Sequence, residues 1–499
     1  MSEQTLHARG TFGSGRPGAV SLRAGRARTS RLAYRWRWPL GALALLVVSA
    51  LIVLWARVRP GFDPYGWLVW GHLTLHGKLD TNGAPSWKPL PYLFTLPYAV
   101  IGRHAVYLWM TTAFAISLSG VVFAWRVAFA LVAAPGERRY AAYAAGLTAA
   151  VALLGIQDFP HAVLSAESDT MVVALCLAGI DGILQRRYRW AFWAWWLAAL
   201  GRPEVWAPLG LYVLWAWRAQ PRMRVQMTGG VILIPLLWFG IPALTSHSPF
   251  SAATLAEKSP RRIHGNKITG TISRFLSLNP TVVKVAAGLA VVLAVIRRDR
   301  PVLLLTGGVV LWVAVEAAFA LHGWSAVSRY LYEAAAGVGV LAGVAVGRVI
   351  LELPDAARRL RPGARVATVG GVAALVAVAA FAVSLVPVIH SRIVAEGKDL
   401  RGQRTRTRYI DLLASGVAHL GGARILACGQ PQIGIGWQSI LAWQLGTNVG
   451  VLYFSRRHEI EHPHPIVNMY PHSYGWQFFP SDWTNPTQAA RCRGLGYRT

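Results

Sequence analysis

Apolar runs interrupted by short polar clusters repeat along the chain, each about as long as the roughly 20 residues that carry a helix across a bilayer. They fall near 38–57, 104–132, 140–157, 162–184, 190–201, 203–217, 226–244, 281–296, 301–320, 330–350 and 366–387, which predicts eleven spans. The fifth and sixth runs are short and meet at "GRPEVW" around Arg202. Two half-length helices meeting at a Gly-Arg-Pro break are tolerable in a membrane only where the broken backbone is buried in protein or lines a cavity. After Pro387 the pattern changes to shorter elements: a helix through "TRYIDLLASGVAHLGG", a strand "ARILACG", a helix "GWQSILAWQL" and a strand "VGVLYF". The period shifts from helical to alternating and back, as in a small α/β module.

The predicted fold is therefore an all-α polytopic membrane protein with a small C-terminal α/β module outside the membrane. Its parts are a disordered basic tail over 1–37, a membrane domain over 38–387 and the module over 388–499. Composition agrees: 54% of the 499 residues are hydrophobic, 14% are charged and the mean hydropathy is +0.39. A formal charge of +29 would point to nucleic acid in a soluble protein. Here the arginines gather in "GERR", "QRRYR", "RAQPRMR", "RRDR" and "RVILELPDAARRLRPGAR", all on one side of the spans. That is the bias of cytoplasmic loops, and nucleic acid is excluded as a partner. Eleven spans then place the N-terminus in the cytoplasm and the C-terminus outside the cell membrane. The first run lacks a small-residue cleavage site and reads as a retained span.

Three segments fall on the outer side: Gly61 to Arg103, Thr245 to Pro280, and everything after Pro387. The first opens with Asp63, six residues beyond the first span. "PYGWLVWGHLTLHG" then predicts an amphipathic helix lying along the lipid interface, with Pro64 in its first turn. Lys88, between Trp87 and Pro89, ends the loop as a cation able to meet phosphate or a headgroup. The short connection "DFPHAVLSAESDTMVV" adds Asp158, His161, Glu167 and Asp169. Acids at membrane depth need a partner or a cavity, and Arg202 with Glu204 and Arg329 with Glu333 supply further charges on other spans. These residues together predict a polar cavity opening outward. Ion pairing between spans would produce the same pattern.

Two histidine motifs offer metal chemistry instead. "HEIEH", His458 to His462, fits the H-E-x-x-H pattern of metalloproteases, but it follows an apparent strand and Pro463 ends any helix at once. A surface metal site through His458, His462 or His464 is the alternative there, as it is for His72 and His76. Cys428 and Cys492 both lie in the outer module and could pair in an oxidising compartment, whereas Cys176 is inside a span.

The order of the charged elements resembles the GT-C integral membrane glycosyltransferases, in particular the protein O-mannosyltransferase and aminoarabinose transferase group. The resemblance runs from about Trp38 to Ile350. It comprises an aspartate after span one, a Lys-Pro-Leu element closing that loop and an acid at the outer start of span four. A basic-Pro break between spans five and six and an Arg-Tyr-Leu opening a later span complete it. It implies sugar transfer from a polyprenyl-phosphate carrier to a cell-envelope glycan, lipid or protein on the outer face. Asp63 would be the general base, Glu167 or Asp169 the span-four acid, and Lys88, Arg202 and Arg329 the cations for the carrier phosphate. Two departures stand out: Asp63 is followed by Pro64 rather than a second acid, and the lysine element reads Lys-Pro-Leu-Pro. No cofactor is implied with certainty, and a divalent cation stays open. The competing class is a polytopic transporter or lipid flippase, which would share intramembrane charges and a broken helix. The runs show no two-fold repetition of the kind many transporters carry.

Overall fold

The computed structural model describes residues 38–83, 87–133, 139–257, 259, 261–360, 364–453, 466–472, 475–481, 487, 490 and 492–499. The apolar runs become helices. In the first half these are α1 (Trp38–Ala56), α2 (Phe62–Leu75), α3 (Pro89–Tyr98), α4 (Ala105–Val132), α5 (Arg139–Leu154), α6 (Phe159–Leu164), α7 (Ser168–Leu184), α8 (Tyr188–Gly201) and α9 (Trp206–Ala219). The second half contains α10 (Arg224–Pro235), α11 (Ile241–Thr245), α12 (Ser251–Glu257), α13 (Lys267–Leu278), α14 (Thr281–Arg297), α15 (Arg300–Leu321), α16 (Tyr332–Leu360), α17 (Ala364–Leu420), α18 (Gly422–Cys428) and α19 (Gln438–Leu445).

Among the described residues six helical segments are long and apolar enough to cross a bilayer: Trp38–Ala56, Pro89–Val132, Pro221–Thr245, Arg300–Leu321, Ser328–Arg359 and Thr368–Leu420. The chain is a multi-pass membrane protein. A seventh crossing results if α13 and α14, bent by 102°, count as one broken span. The bend has a local cause, because Pro280 forces Asn279 out of the helical region to φ −108°, ψ 144°. Other expected spans are helices too, but α5, α7, α8 and α9 have 16, 17, 14 and 14 residues. α7 compensates by being buried along most of its length.

Glycines bring α16 close against α4 and α5. Gly339, Gly343 and Gly347 repeat every fourth residue on α16, and a Cβ added at any of them would press on Ala152, Ala145 or Val132. Small residues spaced this way let backbones approach where lipid offers no hydrophobic drive to associate. α17 has 57 residues. At about 1.5 Å per residue it is close to 85 Å long, nearly three times a hydrocarbon core of about 30 Å, so its polar C-terminal half stands clear of the membrane.

That polar half is tied to the end of α1. Arg404 donates to the Ala56 and Trp55 carbonyls at 2.8 and 3.2 Å, and Arg406 to the Pro60 carbonyl at 3.4 Å. The backbone N–H of Arg59 donates to Thr407 Oγ1 at 2.8 Å, while its guanidinium pairs with Asp411 at 3.0 Å. The chain entering α2 is therefore held from the C-terminal side.

Beyond α17 a four-stranded sheet has the order β1 (Gln430–Ile433), β2 (Ile466–His472), β3 (Gly475–Ser481), β4 (Tyr497–Arg498), with β1 parallel to β2 and the other pairs antiparallel. Trp476 anchors it to α17 by donating Nε1–H to the Tyr409 carbonyl at 2.8 Å. Cys428 and Cys492 are disulfide-bonded, their α-carbons 5.0 Å apart.

Three local expectations differ from the structure. "ARILACG" forms helix α18, and the strand begins only at Gln430. A short apolar run satisfies either element, and here the helix seats Ile425 and Cys428 inward. "VGVLYF" forms a 3₁₀ turn over Val449–Val451 and then a single bridge from Tyr453 to Gln432. α2 is helical as expected but is not interfacial: Tyr65, Trp67, Trp70 and Leu73 are all buried. Its aromatics surround the helix rather than forming one stripe, so it packs inside the protein between α3 and α19. α13 carries an exposed apolar stripe on one side, through Ile268, Ile272 and Leu276.

Candidate active site

Asp63 sits in the first turn of α2, and its position depends on Gly61. The Gly61 N–H donates to the Ser165 carbonyl at 2.8 Å, and a Cβ on Gly61 would lie 2.6 Å from Glu167 Oε1. Only glycine allows the chain to approach the turn between α6 and α7 so closely. The same turn presents Glu167, with Ala166 before it at φ +56°. Asp169 follows in the first turn of α7, where the helix dipole favours negative charge.

Lys88 immediately precedes α3, held extended by Pro89 at φ −142°, ψ 119°. Its ammonium donates to Ser168 Oγ at 3.1 Å, lies 3.6 Å from Asp169 Oδ1 and sits 5.7 Å from the Trp67 ring centre. Arg202 is the extended residue between α8 and the turn leading into α9, again set by a following proline. It hydrogen-bonds Asp169, pairs with Glu204 Oε1 at 2.6 Å and with Glu316 Oε1 at 3.6 Å, and stacks 3.7 Å from the Tyr330 ring centre. Arg329 lies in the 3₁₀ turn Ser328–Leu331 that opens α16. Its guanidinium pairs with Asp63 Oδ2 at 2.9 Å, Glu167 Oε2 at 3.5 Å and Asp169 Oδ2 at 3.5 Å.

All six candidate residues thus belong to one network. Asp169 is its centre: fully buried, it faces Lys88, Arg202 and Arg329 at once. Access differs among the members. Arg202 is enclosed, with 4% of its side chain exposed, whereas Arg329, Asp63 and Lys88 expose 26%, 19% and 13%. Arg329 and Glu167 line a cavity of about 690 Å³, whose wall also carries Asp158, His161, Tyr332 and Asp399. Buried cations facing carboxylates beside such a cavity can bind an anion, and the carboxylates nearest the opening can take a proton from a hydroxyl.

Sequence reasoning missed Glu316 and Tyr330. Glu316 lies in the middle of α15, within "LWVAVEAAFAL", and a lone acid in an apolar span is itself a signal of a buried partner. Tyr330 shares the Arg-Tyr-Leu element with Arg329 and is fixed by Trp312, whose Nε1–H donates to its carbonyl at 2.9 Å. One helical turn on from Arg329, the carboxylate oxygens of Glu333 are buried and make no hydrogen bond.

The metal alternatives gain nothing here. The rings of His72 and His76 lie tilted with centres 4.5 Å apart, and burial together with the neighbouring imidazole lowers the His72 pKa. Among the described residues no group of three or more His, Cys, Asp or Glu is placed to hold a metal ion. His458, His462 and His464 lie outside the described residues.

No protein-family model matches the chain, and no curated protein sequence is significantly similar to it. Among solved structures, ArnT from Cupriavidus metallidurans bound to undecaprenyl phosphate is 15% identical, with a TM-score of 0.46 over 85% of this chain and 87% of that one. The apo state of the same protein is 15% identical, with a TM-score of 0.47 over 84% of this chain and 87% of that one.

Proposed function

We propose that the protein is a membrane glycosyltransferase that moves a sugar from a polyprenyl-phosphate carrier to an acceptor on the extracytoplasmic side of the cell membrane. The observation that carries this reading is the convergence of Asp63, Lys88, Glu167, Asp169, Arg202 and Arg329, drawn from five separated stretches of sequence, into one charged network beside a cavity. A lipid-linked donor needs cations at its phosphate, a base for the acceptor and a route from the bilayer. The first two are present together.

In this reading Lys88 and Arg329, the partly exposed cations, hold the donor phosphate. Arg202, enclosed behind Asp169, fixes the orientation of the carboxylate that positions both. Asp63 takes the proton from the acceptor hydroxyl as its oxygen bonds to the anomeric carbon. The bond from that carbon to the phosphate oxygen breaks, and the phosphate leaves with the electron pair, its charge met by the cations. Glu167, at the cavity wall between Arg329 and the α6 turn, adds the second carboxylate at the reacting centre.

The topology that fits this is eleven spans with a cytoplasmic N-terminus, α5, α7, α8 and α9 crossing as short helices within protein. The C-terminal module is then extracytoplasmic, which suits its disulfide. The experiment is transfer by the purified protein in lipid nanodiscs from a panel of radiolabelled polyprenyl-phosphate sugars to a cell-envelope extract. Label moving from the organic phase into acceptor supports the reading. A wild type that neither binds undecaprenyl phosphate nor transfers from any donor of the panel overturns it in favour of a transporter or lipid flippase.

A further inference from the structure

His161 and Asp399, which line the same cavity as Arg329, form a hydrogen-bonded cluster with Gln403. His161 Nδ1 lies 2.9 and 2.8 Å from the two Asp399 carboxylate oxygens, and Gln403 Nε2 donates to Asp399 Oδ2 at 2.6 Å. The carboxylate keeps the proton on Nδ1, which leaves the Nε2 lone pair available. Its one contact is a long one, 3.4 Å to Ser165 Oγ. The side chains of His161 and Asp399 are 46% and 33% exposed, so this cluster is open to a ligand rather than sealed in the core. Asp158 lines the same cavity.

We infer that this part of the cavity wall is the acceptor subsite, and that it takes a neutral, polyhydroxylated glycan residue through Asp158, His161 and Asp399. The inference rests on the proposed transfer reaction and deepens it. Position supports it first. His161 belongs to the short helix α6, whose following turn carries Glu167 and holds Gly61, so the cluster is rigidly joined to the reacting carboxylates. With the donor phosphate at Lys88 and Arg329, an acceptor hydroxyl has to approach the anomeric carbon through the rest of the cavity, whose wall carries this cluster.

Chemistry supports it second. Two carboxylates and an imidazole nitrogen accept hydrogen bonds, and the several hydroxyls of a sugar supply the donors. An anionic headgroup would instead meet Asp158 and Asp399 at close range. Arg261 and Arg274 line the same cavity, Arg274 donating to the carbonyls of Ser325 and Ala326 at 2.6 and 2.9 Å and to that of Arg261 at 3.1 Å, so the wall carries both signs of charge and favours a neutral ligand over an anion or a cation. The volume, about 690 Å³, is within the roughly 300–1,000 Å³ of ordinary ligand pockets.

The test is saturation-transfer NMR on the full chain in nanodiscs. The neutral probes are methyl α-D-mannopyranoside and methyl α-D-arabinofuranoside, and the anionic probe is glycerol 1-phosphate; undecaprenyl phosphate binding is followed in parallel by native mass spectrometry. The expected result is a signal from a neutral glycoside in the wild type that weakens about ten-fold in Asp399→Asn and His161→Ala, the size of one charge-assisted hydrogen bond. Undecaprenyl phosphate binding should stay unchanged in both, and Lys88→Ala should show the reverse pattern. Asp158→Asn is the variant safest for folding, since Asn tolerates the positive φ of +59° at that position, and it should weaken the glycoside signal as well. Glycoside signals retained in all three variants, signals from glycerol 1-phosphate alone, or joint loss of glycoside and undecaprenyl phosphate binding with lowered thermal stability would each overturn the subsite. If glycosides bind while the wild type takes no undecaprenyl phosphate, the glycan site stands and the donor reading fails.

Discussion

Arg329 Nη2 lies 2.9 Å from Asp63 Oδ2, a pairing that joins the start of α16 to the start of α2 across 266 residues of sequence. The pair has a consequence for the order of events. In the proposed reaction a donor phosphate binding Arg329 competes with Asp63 for the same guanidinium, and the carboxylate it releases is the one proposed to accept the acceptor's proton. Arg329→Ala should therefore weaken undecaprenyl phosphate binding by roughly 10- to 150-fold, the range of a charged hydrogen bond worth about 1.5–3 kcal/mol. Arg329→Lys should recover only part of it, because lysine keeps the charge and loses the planar fork. Binding in nanodiscs by native mass spectrometry measures both.

Arg202 serves the network differently. Removing it leaves Glu204 and Glu316 buried without a cation and Asp169 with only Lys88 and Arg329, and Arg202→Met should destabilise the protein by about 3–5 kcal/mol. Glu316→Gln should cost far less, since Arg202 keeps its two closer carboxylates. A thermal melt monitored by size-exclusion chromatography separates the two outcomes, and equal losses would contradict this assignment.

Helix contact predicts a contrast between glycines. Gly343→Leu forces a side chain into the Ala145 carbonyl and should cost about 1–3 kcal/mol or more. Gly371→Leu, where an added Cβ meets nothing within 4 Å, should be neutral or slightly stabilising through helix propensity. Detergent stability of the two variants checks this.

The disulfide should be present in protein isolated without reductant, as intact mass after alkylation will show. Cys428→Ser should loosen the C-terminal sheet by about 2–4 kcal/mol. Because α19 from that module packs on α2, some loss of activity should accompany it.

Much of this site was legible before the structure because membrane burial makes charge informative: an ionisable residue among apolar spans needs a partner, so Asp169, Arg202 and Arg329 could be named from their surroundings, and Lys88 from its place between Trp87 and Pro89 at the membrane surface. Their mutual pairing was not legible, since spacing along the chain says nothing of which spans adjoin. Glu316 was overlooked inside an apolar run for want of a motif. α2 was misread because its aromatics suit an interface as well as a core, and only the packing of α3 and α19 over it decides between them. "ARILACG" was ambiguous for a related reason: a short stretch with five apolar residues fits a helix or a strand, and tertiary contacts choose.

The central claim is that Asp63 is the base. Asp63→Asn keeps the size of the side chain and a hydrogen bond to Arg329 while removing the proton acceptor. In an assay with a labelled polyprenyl-phosphate sugar, the variant should lose roughly 10²- to 10⁴-fold in turnover with donor binding and expression preserved. Transfer at a near-wild-type rate by Asp63→Asn would contradict the account and pass the role to another carboxylate of the network, Glu167 first.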